Sequence, residues 1–346
     1  MRRVKSQILR RRRIRLWRTN PKSQDKGLRK IDRLLLDEAQ RRFPVCARPY
    51  AELGRRIGLD EARVIRLLGA YRERGIVRRI GPRYDARAFG LDTVLIALSI
   101  TPGKVREAAA LINALEGVTH NYLRRHPLNI WFTLASTGRA ARGKALRALA
   151  RAIRPRRLIE LPATRFFKLG VLFDLGVGGE KREERPGAGG TASRKERAGK
   201  MPPGIVSLIP ADLTLSRRPF PPGAVAAIRG LLASGRMRRF GAVLDGKAFG
   251  YRYNALVAWK VPRGRVNEAG RALAAFGAVS HCYARAAKRS WPYRLYTMVH
   301  ARDRRSGIRL IGEMSRAARD DGHAVLETVR ALKRSLLDPG AFTATA

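Results

Sequence analysis

The apolar positions of the chain follow two alternating periods, and the whole alternation then starts over. Ile31, Leu34, Leu35, Ala39 and Phe43 keep i, i+3, i+4 spacing and predict a helix. A short amphipathic helix is expected over residues 50–57. Gly58-Leu59-Asp60 predicts a turn in which Asp60 caps a third helix carrying Val64, Ile65, Leu68 and Tyr71. Helix, short turn, helix is the helix-turn-helix pattern. The strand expected at 75–81, with a turn and return over 83–90, makes it the winged variety.

The period then changes. Residues 91–100, LDTVLIALSI, read as a strand that Pro102-Gly103 stops, and 105–115 read as a helix with Val105, Ala108, Ala109, Ile112 and Leu115 on one face. A strand at 118–122, a turn at 124–127, a strand at 129–135, a helix at 138–153 and closing strands at 158–161 and 168–175 follow. Strand, helix, strand, strand, helix, strand predicts a ferredoxin-like sandwich with both helices on one face of an antiparallel sheet. Residues 176–203 are rich in Gly, Pro, Ser and charge without apolar period, and read as a linker.

Beyond the linker the pattern repeats. Gly75-Ile76-Val77-Arg78-Arg79-Ile80-Gly81 aligns with Gly235-Arg236-Met237-Arg238-Arg239-Phe240-Gly241, and Ala88-Phe89-Gly90 with Ala248-Phe249-Gly250, both at an offset of 160. Between Pro49-Tyr50 and Gly75 lie 24 residues, but between Pro219-Phe220 and Gly235 only 14. The second copy is therefore expected to lack about ten residues of the turn and second helix. The fold class expected is α+β, two tandem units, each a winged helix-turn-helix (the second truncated) followed by a ferredoxin-like βαββαβ sandwich. The divisions are a basic, disordered head at 1–27, helix-turn-helix at 28–90, sandwich at 91–175, linker at 176–204, truncated helix-turn-helix at 205–250 and second sandwich at 251–346.

Composition sharpens this picture. In 346 residues, 45% hydrophobic content can bury ordinary cores, while 73 Lys and Arg against 27 Asp and Glu leave a formal charge of +46. Such an excess implies polyanionic partners or an arginine-rich bias. Part is local, because the head carries the run 10–13 of four arginines; it reads as a solvated extension. No secretory signal and no run near the roughly 18 apolar residues of a membrane span stand out, so a soluble, cytoplasmic protein is expected. Two cysteines, Cys46 and Cys282, make neither a disulfide framework nor a zinc pair.

Candidate chemistry concentrates in residues 118–133, which bring together His120, Tyr122, Arg124, Arg125, His126 and Trp131. A related stretch returns as His281, Tyr283 and Arg285, continuing to Trp291, so three of five histidines sit in two copies of one motif. Arginine forks pair with carboxylates, aromatic faces stack on planar rings, and histidine moves protons near neutral pH. A flat polycarboxylate suits that set. No nucleotide loop, Ser/His/Asp set or paired-carboxylate motif stands out.

Phe43-Pro44 with Arg48-Pro49-Tyr50, the two glycine-bounded strings above, Val118-Thr119-His120-Asn121-Tyr122-Leu123-Arg124 with His126, Asn129 and Trp131-Phe132-Thr133, and in the second half Val279-Ser280-His281-Cys282-Tyr283 with Trp291-Pro292-Tyr293 and Leu295-Tyr296-Thr297 resemble the siroheme decarboxylases. These are built on the Lrp/AsnC plan of winged helix-turn-helix plus ferredoxin-like domain. The resemblance covers roughly residues 28–340 apart from the linker. It implies a fused chain whose two halves pair internally as a pseudo-dimer, and removal of the two acetate carboxyls of siroheme to give 12,18-didecarboxysiroheme in heme d1 or alternative heme biosynthesis. No added cofactor is implied, because the iron arrives in the substrate. This chain departs from the pattern in its eroded second helix-turn-helix, in Arg294 where Asn129 would match, and in its basic head.

Under that resemblance the first half holds the working cleft, with His120 as general acid/base and His126 as a second proton donor. Tyr122, Arg124, Arg125, Trp131, His281, Tyr283, Arg285 and Trp291 are expected to bind substrate, with Arg78, Arg79, Arg238 and Arg239 behind them. The tryptophans suit the core equally. No protein metal site is expected; iron ligation by a histidine and further self-association stay open. The alternatives are a DNA-binding regulator of the same plan and a siroheme or heme sensor without turnover. Against the regulator stand the single complete recognition helix and its acidic start, Asp60-Glu61, so neither nucleic acid nor a membrane is expected as partner.

Overall fold

The computed structural model describes residues 28–170, 172–173, 175–177 and 204–342. The expected basic head and nearly all of the expected linker lie outside those residues. Helices α1 (Lys30–Arg41), α2 (Pro49–Ile57) and α3 (Glu61–Glu73) form the helix-turn-helix. Gly58 ends α2 at φ 74°, a left-handed conformation that glycine adopts without strain. Asp60 caps α3 by accepting from the Arg63 backbone N–H at 2.8 Å.

The wing differs from expectation. Strand β1 (Val77–Tyr84) has no return strand of its own; residues 86–89 form a single 3-10 turn. Its partner is β6 (Met237–Leu244) of the second half, antiparallel, with Gly81 opposite Gly241. The second half keeps one helix, α6 (Ala224–Ala233), before that strand. At the offset of 160, α6 falls on residues 64–73 and so on α3. The counterparts of α1 and α2 are what is missing, which corrects the expectation that the second helix was lost.

Residues 204–223 lie against the first half instead. The Leu213 N–H donates to Ile80 O at 2.7 Å, Asp212 accepts from the Ile80 N–H at 2.9 Å and from Arg72 at 2.7 Å, and Tyr50 Oη donates to Thr214 O at 2.7 Å. This segment satisfies the outer edge of β1, which would otherwise stand unpaired.

The sandwiches follow as β2 (Asp92–Ser99), α4 (Val105–Ala114), β3 (Val118–Arg125), β4 (Ile130–Ser136), α5 (Arg139–Ile153) and β5 (Arg157–Leu169). Their second-half equivalents are β7 (Tyr253–Trp259), α7 (Val266–Ala274), β8 (Val279–Arg285), β9 (Leu295–Ala301), α8 (Arg304–Ala318) and β10 (His323–Arg334). Of the two expected closing strands, 158–161 lies within one long strand, β5, which ends at Leu169; the described residues of 170–175 are not strand, which corrects the expectation of a second strand at 168–175. Up to Pro162 β5 pairs with β2, and from Ala163 it pairs with β8 of the other half. The proline that breaks the sequence pattern marks the change of partner. β10 does the same in reverse, from β7 to β3. The eight strands close in the order β10-β3-β4-β2-β5-β8-β9-β7.

Period-2 alternation decides what each face meets. Val94, Ile96, Ile130 and Phe132 face α4 and α5 on one side of the closed sheet, and Val257, Trp259, Leu295 and Val299 face α7 and α8 on the other. The inward face is apolar at one end only, where Leu95, Trp131, Leu161, Trp291, Tyr296 and Leu326 pack together.

A Cβ on Gly81 would stand 2.2 Å from Ala211 O, a backbone atom, whereas one on Gly230 within α6 meets nothing within 4 Å. Gly81→Ala should cost about 1–3 kcal/mol by forcing the wing ribbon and the 204–223 segment apart. Gly230→Ala should instead stabilise by about 0.5–1 kcal/mol. Urea denaturation of the two variants checks the contrast.

Candidate functional site

His120, Tyr122 and Arg124 are alternate residues of β3, and His281, Tyr283 and Arg285 are alternate residues of β8, so each trio points into the closed sheet. The rings form two columns. His120 lies over Tyr122 with ring centres 6.3 Å apart, and His281 over Tyr283 at 5.8 Å. Beneath them the Arg124 guanidinium stands 5.0 Å from the Tyr122 ring and that of Arg285 5.2 Å from Tyr283.

At the histidine end the columns meet the wing ribbon. Burial lowers the pKa of His120 to about 4, helped by the positive charges of Arg83, Arg334, Arg78 and Arg79. Burial likewise holds His281 well below the usual imidazole value, with Arg83, His300, His120 and Arg238 adding to it. His300 of β9 is pushed down to about 4 by burial and then Arg334. His120 and His281 thus feel one another, and Arg83 bears on both. All three imidazoles nevertheless keep part of their surface accessible. The three rings thus lie in a polar, cationic region of the interior to which both halves contribute.

Several expected site residues lie elsewhere. Trp131 is 1% and Trp291 5% exposed; their indoles pack 5.6 Å apart in the apolar end and donate to Leu128 O and Tyr296 Oη, so they are core. His126 follows β3 in the turn, packs against Trp291 and accepts the Leu128 N–H at 3.0 Å. Six residues along a strand separate it from His120, roughly 20 Å, so it cannot share in the same proton transfer. Arg125 points to the opposite face, exposed, with Glu327 at 3.7 Å. Arg124 and Arg285 are committed within the protein. Arg124 donates to Leu326 O at 3.0 Å and Thr328 Oγ1 at 2.9 Å, and Arg285 to Leu161 O at 2.6 Å.

Three groups near the histidines escape the sequence reading: Arg83, Arg334 and His300. Val243 stands at the repeat position of Arg83, so comparing the halves gives no signal for it. Arg334, 5.7 Å above the Tyr122 ring, belongs to the strand exchanged from the other half. An open cleft of about 510 Å³ lies where β5 pairs with β8, lined by Arg165, Arg263, Asn267, Arg294 and Arg285, but by none of the histidines.

The lowered imidazole pKa values have a consequence for stability. An unfolded histidine titrates near 6.5, and these three resist protonation in the folded chain. As the pH falls from about 6.5 toward 4 the unfolded chain takes up protons that the folded one does not, so their contribution, complete above that window, is lost through it. The urea midpoint should fall measurably between about pH 6.5 and 5, and His281→Gln should flatten the slope; a parent midpoint constant over that range contradicts the assignment.

Residues 32–78 match the siroheme decarboxylase NirDL-like helix-turn-helix domain, and residues 88–168 and 248–333 match the AsnC-like ligand binding domain. The chain is 32% identical over 312 residues to a siroheme decarboxylase of Hydrogenobacter thermophilus, covering 87% of this chain and 92% of that one. With the siroheme decarboxylase NirDL subunit of Paracoccus denitrificans it shares 31% over 296 residues, 82% and 88% of the two chains. The crystal structure of the siroheme decarboxylase NirDL superposes with a TM-score of 0.64 at 28% identity, over 89% of this chain and 94% of that one. The same protein in co-complex with an iron-uroporphyrin III analogue gives 0.63 over the same shares. This chain, with its two converging histidine columns, belongs to the siroheme decarboxylase family.

Proposed function

We propose that the protein is a siroheme decarboxylase, a carboxy-lyase that converts siroheme to 12,18-didecarboxysiroheme in heme d1 or alternative heme biosynthesis. The observation that carries this is that His120 and His281, one from each half, lie within each other's electrostatic reach beside Arg83 and further arginines of the wing ribbon. This arrangement supplies proton carriers and cations for a polycarboxylate in one place. A siroheme-type macrocycle is lined with acetate and propionate carboxylates, whose desolvation is unfavourable without cationic partners. Arg83, Arg334, Arg78, Arg79 and Arg238 serve that role, with the Tyr122 and Tyr283 rings as walls. The relative crystallised with an iron-uroporphyrin III analogue supports an iron macrocycle as the occupant.

His120 acts as the acid. In the free protein it is neutral, held so by burial and its arginine neighbours. Carboxylates that pair with those arginines cancel the field and favour imidazolium, so substrate binding itself arms the proton donor. When the acetate C–C bond breaks, CO2 leaves and the electron pair stays on the methylene carbon in conjugation with the ring. The His120 proton joins it to make the methyl group, and the imidazole regains a proton from solvent. The iron enters with the substrate, and no further cofactor takes part. The two halves work as an internal pseudo-dimer in the cytoplasm, and no helix among the described residues is long and apolar enough to cross a membrane.

Anaerobic incubation with siroheme should yield a product lighter by two CO2, seen by mass spectrometry; an unchanged mass excludes decarboxylation. His120→Ala should slow turnover by roughly a hundredfold or more while an optical titration still shows siroheme binding. His126→Ala should leave the rate within about threefold of the parent, as expected for a group outside the reacting centre.

A further inference from the structure

The two histidine columns differ in what stands behind the ring. Behind His120 is one hydroxyl, Thr119 Oγ1, 2.9 Å from Nδ1. Behind His281 is a chain of hydrogen bonds that crosses the closed sheet. Ser280 Oγ lies 2.9 Å from His281 Nδ1 and 2.7 Å from His300 Nε2. His300 Nδ1 is 3.0 Å from Asn254 Nδ2, Thr328 Oγ1 donates to Asn254 Oδ1 at 3.1 Å, and Arg124 Nη1 donates to Thr328 Oγ1 at 2.9 Å. The chain passes from β8 through β9, β7 and β10 and ends on β3 of the first half.

Its direction is set at the arginine end. A guanidinium only donates, so Thr328 accepts there and its single hydrogen goes to Asn254 Oδ1. The amide NH2 then faces His300 Nδ1, which accepts. A neutral His300 carries its proton on Nε2 and gives it to Ser280 Oγ. Ser280 turns its own hydrogen to His281 Nδ1, and the His281 proton sits on Nε2, on the far side of the ring from the serine. Adding a proton at His281 Nδ1 would leave Ser280 with two donors and no acceptor for its hydrogen. At His120 the Thr119 hydroxyl need only rotate.

We propose that the chain locks His281 as a hydrogen-bond donor that grips one carboxylate of the tetrapyrrole and sets how the macrocycle lies, while His120 stays free to change protonation. Ser280, His300, Asn254 and Thr328 are positioning residues, and their asymmetry assigns different tasks to two histidines that the repeat makes look alike. The buried, arginine-flanked setting of His281 and His300 agrees with both rings being neutral. The carboxylate-gripping role rests on the siroheme reading above; the locked tautomer does not.

Nitrogen-15 NMR of ligand-free, histidine-labelled protein, with His281 assigned through His281→Gln, should show protonated Nε2 and bare Nδ1. Ser280→Ala should mix the His281 tautomers and raise the siroheme KM about tenfold, as loss of a hydrogen bond to a charged group implies, with kcat within about threefold. Ser280→Thr should restore both readouts. A parent His281 protonated on Nδ1 overturns the lock whatever the activity, and an Ser280→Ala variant with parental KM overturns the carboxylate grip. Siroheme left unchanged by the parent enzyme refutes the siroheme reading instead, and the nitrogen spectrum still decides the tautomer.

Discussion

Two buried guanidinium groups hold the strand exchange on which the site depends. Arg124 reaches Leu326 O on β10, and Arg285 reaches Leu161 O on β5, in each case the strand that comes across from the other half. A hydrogen bond to a charged group contributes about 1.5–3 kcal/mol net, and more is lost if a buried arginine is left without its acceptors. Each arginine also carries the tyrosine ring of its own column, and each tyrosine the histidine above it. Closure of the sheet and placement of the imidazoles are therefore one structural event. The Nε atom of each arginine has no hydrogen-bond partner among the described residues, so carbonyls, aromatic faces and, for Arg124, the Thr328 hydroxyl carry the compensation of that charge.

The electrostatics follow from the same arrangement. Both halves send their wing strand to one ribbon, and the ribbon sets arginines over the histidine end of the columns. The opposite end is filled by Trp131 and Trp291, both buried. One end of the interior is thus cationic and the other apolar. Burial and charge of one sign gathered near the protonatable rings both lower their basicity, and in the proposed reaction a bound polycarboxylate relieves the charge part of that effect. The acids near the wing offset part of that field, because Asp212 pairs with Arg72, and Asp85 with Arg87 and, at 3.5 Å, with Arg238; the charge that bears on both His120 and His281 is that of Arg83.

The erosion of the second helix-turn-helix now has a structural reading. Residues 204–223 run along α2, α3 and the edge of β1. They take surface that would otherwise be exposed and join the two halves into one apolar core containing Leu35, Tyr50, Ile80, Ile228 and Phe240. The second half keeps the counterpart of α3 but not those of α1 and α2, so the two halves do not present two matched helix-turn-helix units to a two-fold site.

Local periodicity was enough to place nearly every helix and strand, and self-comparison was enough to show the duplication and the His120 and His281 motifs, because spacing along a strand or helix face is written in neighbouring residues. Which inward residues meet was beyond it. The partner of β1 lies in the other half of the chain, and so do the partners of the second part of each long strand, more than a hundred residues away in every case. His126 and Trp131 lie near His120 in sequence, yet the extended backbone carries them to the other end of the interior. Arg83, Arg334 and His300 come together with His120 and His281 only because the sheet closes through strands exchanged between the halves. The sequence by itself determined the elements and the chemistry available; tertiary closure alone decided which of those groups share a site, since contacts between distant strands depend on register and partner exchange rather than on local pattern.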